Sequence, residues 1–472
     1  MSQKTISRRH FFGASAAGTM AGAVALADPG LAAAQAVGVK PADLPDLTIK
    51  EVKVYVTDLG DLRRLNGTET GEIVSVVTNS GIEGNYTLGN RGTTPNWLDW
   101  AKPNLVGKNV LDLLPTLTAT SGLKATYGFD GNTRRGGGGF GAGRAGGGGG
   151  AGRRPGVGAG AGRQGAGAGA GRQGGGGGGF GNRNTGTWPN FYSAAADVCL
   201  WDILGKSVNR PIYKLLGGTK DRMIAYASSL HLENVEDYVP DVTKAKEEGY
   251  RGYKIHPGGG QMKNGPPIPT YIGHMEEIRQ VRKAVGDNFV LAHDPVQRYN
   301  VYEALKVGRL LDELDYAWFE DPIRTTDIEG LVELNRALDL PLHVGEFLMS
   351  ISDYAEYIHR GALDVCRLIS DNVGGISGSM RVGMLADAFN LECTPHNWGN
   401  PYDLAVHFHL ELALPNAFWF EMPHPSNLVD RPYIEKKFRI DKDGYVMAPT
   451  EPGLGYPLDR AALEKMTKRI DR

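Results

Sequence analysis

Three short apolar runs in the middle of the chain each end on a carboxylate at a constant interval. Phe289-Val290-Leu291-Ala292-His293-Asp294, Tyr316-Ala317-Trp318-Phe319-Glu320 and Leu342-His343-Val344-Gly345-Glu346 place Asp294, Glu320 and Glu346 in two steps of 26 residues. Each run has the length and composition of a buried strand, and amphipathic helical patterns separate them. Equal steps of one strand-helix unit put the three acids at the same end of three neighbouring parallel strands.

The unit repeats from Met223 onward, with strands ending near Ser228, His256, Asp294, Glu320, Glu346, Ile369, His396 and Glu421. Helices are predicted over His274 to Val285, Ile328 to Leu338 and Gly378 to Phe389. Eight such units close into a (β/α)8 barrel of the α/β class, whose reactive rim lies at the carboxyl ends of the strands. Three carboxylates aimed at one spot repel one another unless a cation neutralises them. Hard oxygen donors with room left for water and substrate suit Mg²⁺, with Mn²⁺ as the alternative. Asp294, Glu320 and Glu346 are therefore the candidate metal ligands.

Upstream, Leu47 to Asn85 alternates like two or three strands, and helical patterns follow near Asn109 to Leu117 and from Tyr192 to Gly205, so an α+β segment precedes the barrel. Between those helices, Gly136 to Gly181 is nearly all Gly and Ala, with Arg144, Arg153, Arg154, Arg163 and Arg172 and no acidic residue. Such a stretch has almost nothing to bury and reads as a disordered, solvated insertion. Polyanion binding through its arginines is the functional alternative.

The first residues read as an export signal. Ser7-Arg8-Arg9-His10-Phe11-Phe12 precedes a weakly apolar run from Gly13 to Ala27 and a small-residue cleavage site at Ala34-Gln35-Ala36, which resembles a bacterial twin-arginine signal spanning 1–36. A periplasmic or exported location is expected. No other stretch has the roughly 18 apolar residues of a membrane span. With 51 basic against 53 acidic residues, no global field points to nucleic acid. Cys199, Cys366 and Cys393 lie in apolar runs without metal or redox spacing, and read as buried free thiols.

Trp318-Phe319-Glu320-Asp321-Pro322, Val344-Gly345-Glu346-Phe347, Gly374-Gly375-Ile376-Ser377 and Pro452-Gly453-Leu454-Gly455 resemble motifs of the enolase superfamily, and of its mandelate racemase/muconate lactonizing subgroup in particular. Ala195-Asp197-Leu200-Trp201-Asp202-Gly205-Lys206 and Pro211-Tyr213-Leu215-Leu216-Gly217-Gly218 are similar to that family's domain junction. The resemblance runs from Leu47 to the C-terminus apart from the insertion. It implies an α+β capping domain (47–218), a modified (β/α)7β barrel (219–425) whose eighth helix is absent or replaced, and a segment returning to the cap (426–472). A homo-oligomer is also implied.

On the second strand, Lys254 and His256 share one face, since side chains alternate along a strand. The family usually has a second lysine where His256 stands, and imidazole needs less tuning to accept a proton near neutrality. By the same resemblance Lys254 contacts the substrate carboxylate and His396 is the base on the opposite face. The aspartate that normally orients that histidine is replaced by Ile369, with Asp371 two residues on as the candidate substitute. Glu421 corresponds to the family's substrate-bonding carboxyl. Asn397 and Trp398, with His343 and His424, are polar groups at the rim. Val296 stands where many relatives carry Asn or His.

These residues point to metal-assisted removal of the proton α to a carboxylate, with dehydration of a sugar acid to a 2-keto-3-deoxy acid as the leading expectation and an imidazolium at His396 protonating the departing hydroxyl. Racemase, epimerase or cycloisomerase chemistry is the enzymatic alternative. An exported sugar-acid-binding protein without catalysis is the alternative of another class. Substrate choice is expected to rest on cap loops such as Leu59 to Thr68.

Overall fold

A computed structural model describes residues 43–58, 70–89, 94–115 and 188–472. The signal at 1–36, the insertion at 136–181, the loop Leu59 to Thr68 and the end of the pattern near Leu117 lie outside the described residues. β1 (Ile49–Asp58), β2 (Thr70–Thr78) and β3 (Glu83–Gly89) form an antiparallel sheet, followed by α1 (Thr94–Leu105) and the long α2 (Trp188–Ser207). A last strand, β13 (Thr467–Asp471), pairs with β1 and completes the four-stranded cap sheet in the order β13-β1-β2-β3.

The second sheet is parallel and curled. Its strands are β4 (Arg222–Ser228), β5 (Gly252–Ile255), β6 (Val290–His293), β7 (Trp318–Glu320), β8 (Leu342–Val344), β9 (Val365–Leu368), β10 (Glu392–Pro395) and β11 (Trp419–Pro423). Neighbours pair in sequence from β4 to β10, and β11 returns beside β4. Among the described residues β10 and β11 share no ladder. Instead the Cys393 amide donates to the Asn416 carbonyl below and the Asn397 amide to Glu421 above, at 3.0 and 2.8 Å. The predicted strand ends fall within two residues of the observed ones.

The connecting helices have local reasons to start where they do. Val301–Glu313 begins at Asn300 with a reciprocal capping box to Glu303, and the side chains of Asp327 and Ser350 cap Ile328–Ala337 and Ile351–Arg360. The predicted helices appear as α5 (Thr270–Val285), Ile328–Ala337 and α10 (Gly375–Ala388), where α3 is Ile212–Leu215, α4 is Tyr238–Glu247, α6 to α8 are Val301–Glu313, Ile328–Ala337 and Ile351–Arg360, and α9 is Ser370–Val373. After β11 a 3-10 turn (Ser426–Val429) and β12 (Tyr445–Met447), antiparallel to β4, stand where an eighth helix would lie. Leu291, Phe319, Leu342, Val344, Cys366, Leu368 and Phe420 are shut from solvent; each such side chain is worth about 1.5–3 kcal/mol of burial. The three cysteines are buried and unpaired.

Cap and barrel are joined through carboxylates on α2. Asp202 accepts from the amides of Asn85 in the cap sheet and Leu454 in the C-terminal segment, and pairs with Lys206 at 2.7 Å. Asp197 accepts from the Ser377 amide and hydroxyl at the start of α10. A side chain at Gly205 would collide with the Gly453 backbone, which accounts for glycine there. Among the described residues no helix is long and apolar enough to cross a membrane.

Candidate active site

The barrel strands deliver Lys254, His256, Asp294, Glu320, Arg367 and Glu421 into one buried cluster. Lys254, fully enclosed, places its ammonium 3.1 Å from Asp294 Oδ2, 2.8 Å from Glu320 Oε1 and 2.8 Å from Glu421 Oε1. Arg367, equally enclosed in β9, donates from Nε to Glu320 Oε1 at 2.7 Å and from Nη2 to Glu421 Oε2. Burial works against ionisation at Asp294, but Lys254 and then His256 outweigh it and hold the carboxyl below its usual range. At Glu421 burial is likewise overridden, here by Arg367 and Lys254. The expected common face of Lys254 and His256 is realised, since both meet Asp294.

His256 has its tautomer set by the backbone. Its Nδ1 lies 2.7 Å from the Ser229 carbonyl, which can only accept, so Nδ1 carries a hydrogen. Nε2 then faces Asp294 Oδ2 at 2.9 Å. The His256 backbone is fixed as well: its amide donates to Ser229 Oγ and its carbonyl accepts from the Tyr238 hydroxyl at 2.6 Å. Trp398 packs edge-on against the imidazole, with ring centres 5.5 Å apart, and donates from Nε1 to Ser228 Oγ.

The strand-five side is differently furnished. Glu346 follows Gly345, whose φ of 136° and close approach to the Arg367 carbonyl and the Tyr354 ring exclude a Cβ. Its Oε2 lies 3.3 Å from His396 Nε2 and has no hydrogen-bond partner; both oxygens of Asp321 are also without one. Burial, then the neighbouring carboxylates Asp321, Asp294 and Glu320, push Glu346 well above its usual range. Asp321 moves the same way, through burial and then Asp294 and Glu320.

Among the described residues no three acidic, His or Cys side chains are drawn together as a finished metal cage. Lys254 holds Asp294 and Glu320, while Glu346 faces His396. The donor set nevertheless fits a hard divalent cation. Five buried carboxylates (Asp294, Glu320, Asp321, Glu346 and Glu421) meet two permanent cations, and oxygens of Asp321 and Glu346 are left unbonded.

Several assignments change on contact with the structure. Asp371 accepts from the Tyr86 hydroxyl of β3, at 2.9 Å, and the carboxylate beside His396 is Glu346. Burial pushes His396 down to about 3, so in this arrangement it is neutral and not a standing imidazolium. Glu421 spends both oxygens on Ser228, Lys254, Arg367 and the Asn397 amide, so it braces the cluster and has none left for a substrate. The Asn397 side chain turns inward to His407 and Glu411. His343 stacks on Trp318 inside the barrel at 4.9 Å, and His424 faces Asp241 and Glu248 on the α4 side. Arg367 and Ser229 escaped the sequence reading. A lone arginine within the apolar run Val365-Cys366-Arg367-Leu368 was the available signal for the first; a backbone carbonyl leaves none.

Residues 237–462 match the family model described as enolase C-terminal domain-like. The barrel is similar to that family over those residues. Over 279 residues, 58% of this chain and 71% of the relative, it is 29% identical to an arabinonate dehydratase of Saccharolobus solfataricus. It is 29% identical over 269 residues to an L-talarate/galactarate dehydratase of Salmonella typhimurium and 30% over 277 residues to a D-gluconate dehydratase of Thermoproteus tenax. These two matches span 63% and 55% of the relatives, less than two thirds of their length. The crystal structure of D-glucarate dehydratase from Agrobacterium tumefaciens complexed with magnesium superposes with a TM-score of 0.67 at 22% identity, covering 90% of this chain and all of that one. The barrel and its cap are thus a shared fold.

Proposed function

We propose that this chain dehydrates a sugar acid with the help of a divalent metal ion, taking the proton α to the carboxylate and releasing the β-hydroxyl as water. The observation that carries the reading is His256: the Ser229 carbonyl fixes its Nδ1 hydrogen and sets Nε2 at the rim beside Asp294, where it can accept a proton once it is not donating to that carboxylate. The sugar-acid dehydratases among its relatives support the substrate class.

Asp294, Glu320 and Glu346 would hold the ion, with Mg²⁺ favoured by their oxygen donors and Mn²⁺ acceptable. When bound, it supplies the positive charge that lowers the energy of the enolate formed from the substrate carboxylate. Lys254 keeps Asp294 ionised, and Lys254 with Arg367 holds Glu320 in place. His256 Nε2 accepts the α-proton. His256, now protonated, returns the proton to the departing hydroxyl on the same face, giving syn elimination; anti elimination would require His396, neutral in this arrangement, to be protonated first.

A panel of sugar acids incubated with Mg²⁺ in D₂O, followed by NMR, tests this. Deuterium at the α-position or a 2-keto-3-deoxy product is expected for at least one, and His256→Asn should slow it by about 10²–10⁴-fold. Binding across the panel with neither outcome would leave a carboxylate-binding protein in place of an enzyme. We further propose export by the twin-arginine route, supported by Ser7 to Phe12. Replacing Arg8 and Arg9 by lysine should retain the protein in the cytoplasm of a bacterial host; unchanged export would reject the route.

A further inference from the structure

A second cationic element stands at the same rim and takes no part in the carboxylate cluster. Arg298 follows Asp294 by four residues, after two residues in the left-handed region, Val296 (φ 51°) and Gln297 (φ 61°). For a β-branched valine that conformation is strained, and it is held by the Val296 amide donating to Asp294 Oδ1 and the Gln297 amide to the Asp321 carbonyl, at 2.9 and 2.7 Å. The turn carries the Arg298 side chain over the loop that follows β5. There Nη1 donates to the carbonyls of Pro257 and Gly258, immediately after His256.

Those acceptors are neutral. Among the described residues Arg298 makes no ion pair with a carboxylate; buried Glu277 is the acid whose titration it influences, at a distance. Nη2 approaches His231 Nδ1 at 3.4 Å, while Nε has no acceptor among the described residues. The guanidinium edge that grips a planar anion through two parallel hydrogen bonds is therefore largely unspent. His231 itself comes from the loop that follows β4, with its ring centre 5.3 Å from that of His256. Arg298, His231 and His256 thus line one stretch of the rim across strands one, two and three. Arg298 is exposed there, whereas Lys254 and Arg367 are enclosed and occupied.

We infer that Arg298, assisted by His231, receives a second anionic group on the substrate, at the end remote from the carboxylate whose α-proton is removed. The substrate class would be a sugar acid bearing a terminal carboxylate or phosphate. This rests on the dehydratase reading for the first carboxylate, and it adds a selectivity element on a residue outside the proposed metal ligands and base.

Calorimetric titration of the Mg²⁺-loaded full chain with a six-carbon sugar diacid, a six-carbon sugar acid 6-phosphate and the plain six-carbon monoacid tests it. Wild type should bind the diacid or the phosphate at least tenfold more tightly than the monoacid, and whichever is tighter identifies the group. Arg298→Gln should abolish that preference, Arg298→Lys should retain part of it, and His231→Gln should reduce it. Equal binding of all three ligands by wild type overturns the inference, as does an equal loss for all three in Arg298→Gln, which would leave Arg298 as a support for the Pro257–Gly258 loop. α-Proton exchange in D₂O on the same samples separates the readings. Exchange without anion preference keeps the dehydratase and removes the subsite; anion preference without exchange keeps the subsite and removes the dehydratase.

Discussion

Glu421 on β11 and Glu277 on α5 are both fully enclosed, yet their environments drive them in opposite directions. Glu421 is held well below the usual carboxylate range because Arg367 and Lys254 reach it. Glu277 is pushed well above it, since burial is opposed only by the distant Arg298 and neither oxygen has a hydrogen-bond partner. Depth alone therefore says little about the charge of an acid; what matters is whether the fold has brought a cation to it. Glu346 shares the predicament of Glu277 but lies at the rim, and that is the physical case for an external cation there.

Removing the cation from the first region should have the largest effect. Lys254→Met strips the ammonium from three carboxylates at once; turnover should fall at least about 10³-fold, and stability by about 3–5 kcal/mol, read from urea unfolding. A variant of wild-type stability would mean that the cluster is wet and screened. Arg367→Met should cost about 3–5 kcal/mol by leaving Glu320 and Glu421 with one cation between them. Turnover should also fall, because Glu320 loses its bracing.

Next comes the rim. Saturating Mg²⁺, at about 100 times its Kd, should stabilise wild type by about 2.7 kcal/mol, and Glu346→Gln should lose most of that gain. An equal gain in the variant would remove Glu346 from the ligand set. The smallest effect belongs to the second region. Because the folded pKa of Glu277 is raised, its proton is bound more tightly in the native state, and native stability is lost as pH rises through the folded value. Glu277→Gln carries no such dependence. Its Tm relative to wild type should therefore climb between pH 5 and pH 9, by about 1–3 °C, and a flat difference would show that Glu277 already has a partner.

The barrel was legible because its signal is periodic: eight apolar runs, each closing on a polar residue, need no long-range information to be counted. The equal spacing of Asp294, Glu320 and Glu346 likewise marked a common rim. What escaped were relations between side chains on different strands. His343, Asn397 and His424 sit at or near strand ends as rim residues should, but a ring stack, an amide relay and two outer carboxylates turn them away from the site. Asp371 lies two residues past the position expected to serve His396, and a tyrosine from another domain donates to it. Arg367 is the converse: one charged letter among apolar neighbours marked it as unusual, but not which acids it braces.

The pairing of Val54 with Asp471 has an implication for how the molecule is made. The first strand of the cap waits for its partner until every barrel strand has been synthesised, so the cap sheet cannot be completed before the barrel residues exist. Removing residues 467–471 should leave the barrel sequence untouched while opening an unpaired edge on β1, a ready template for sticking to another chain. A bulky tag fused directly after Arg472 would crowd that same edge.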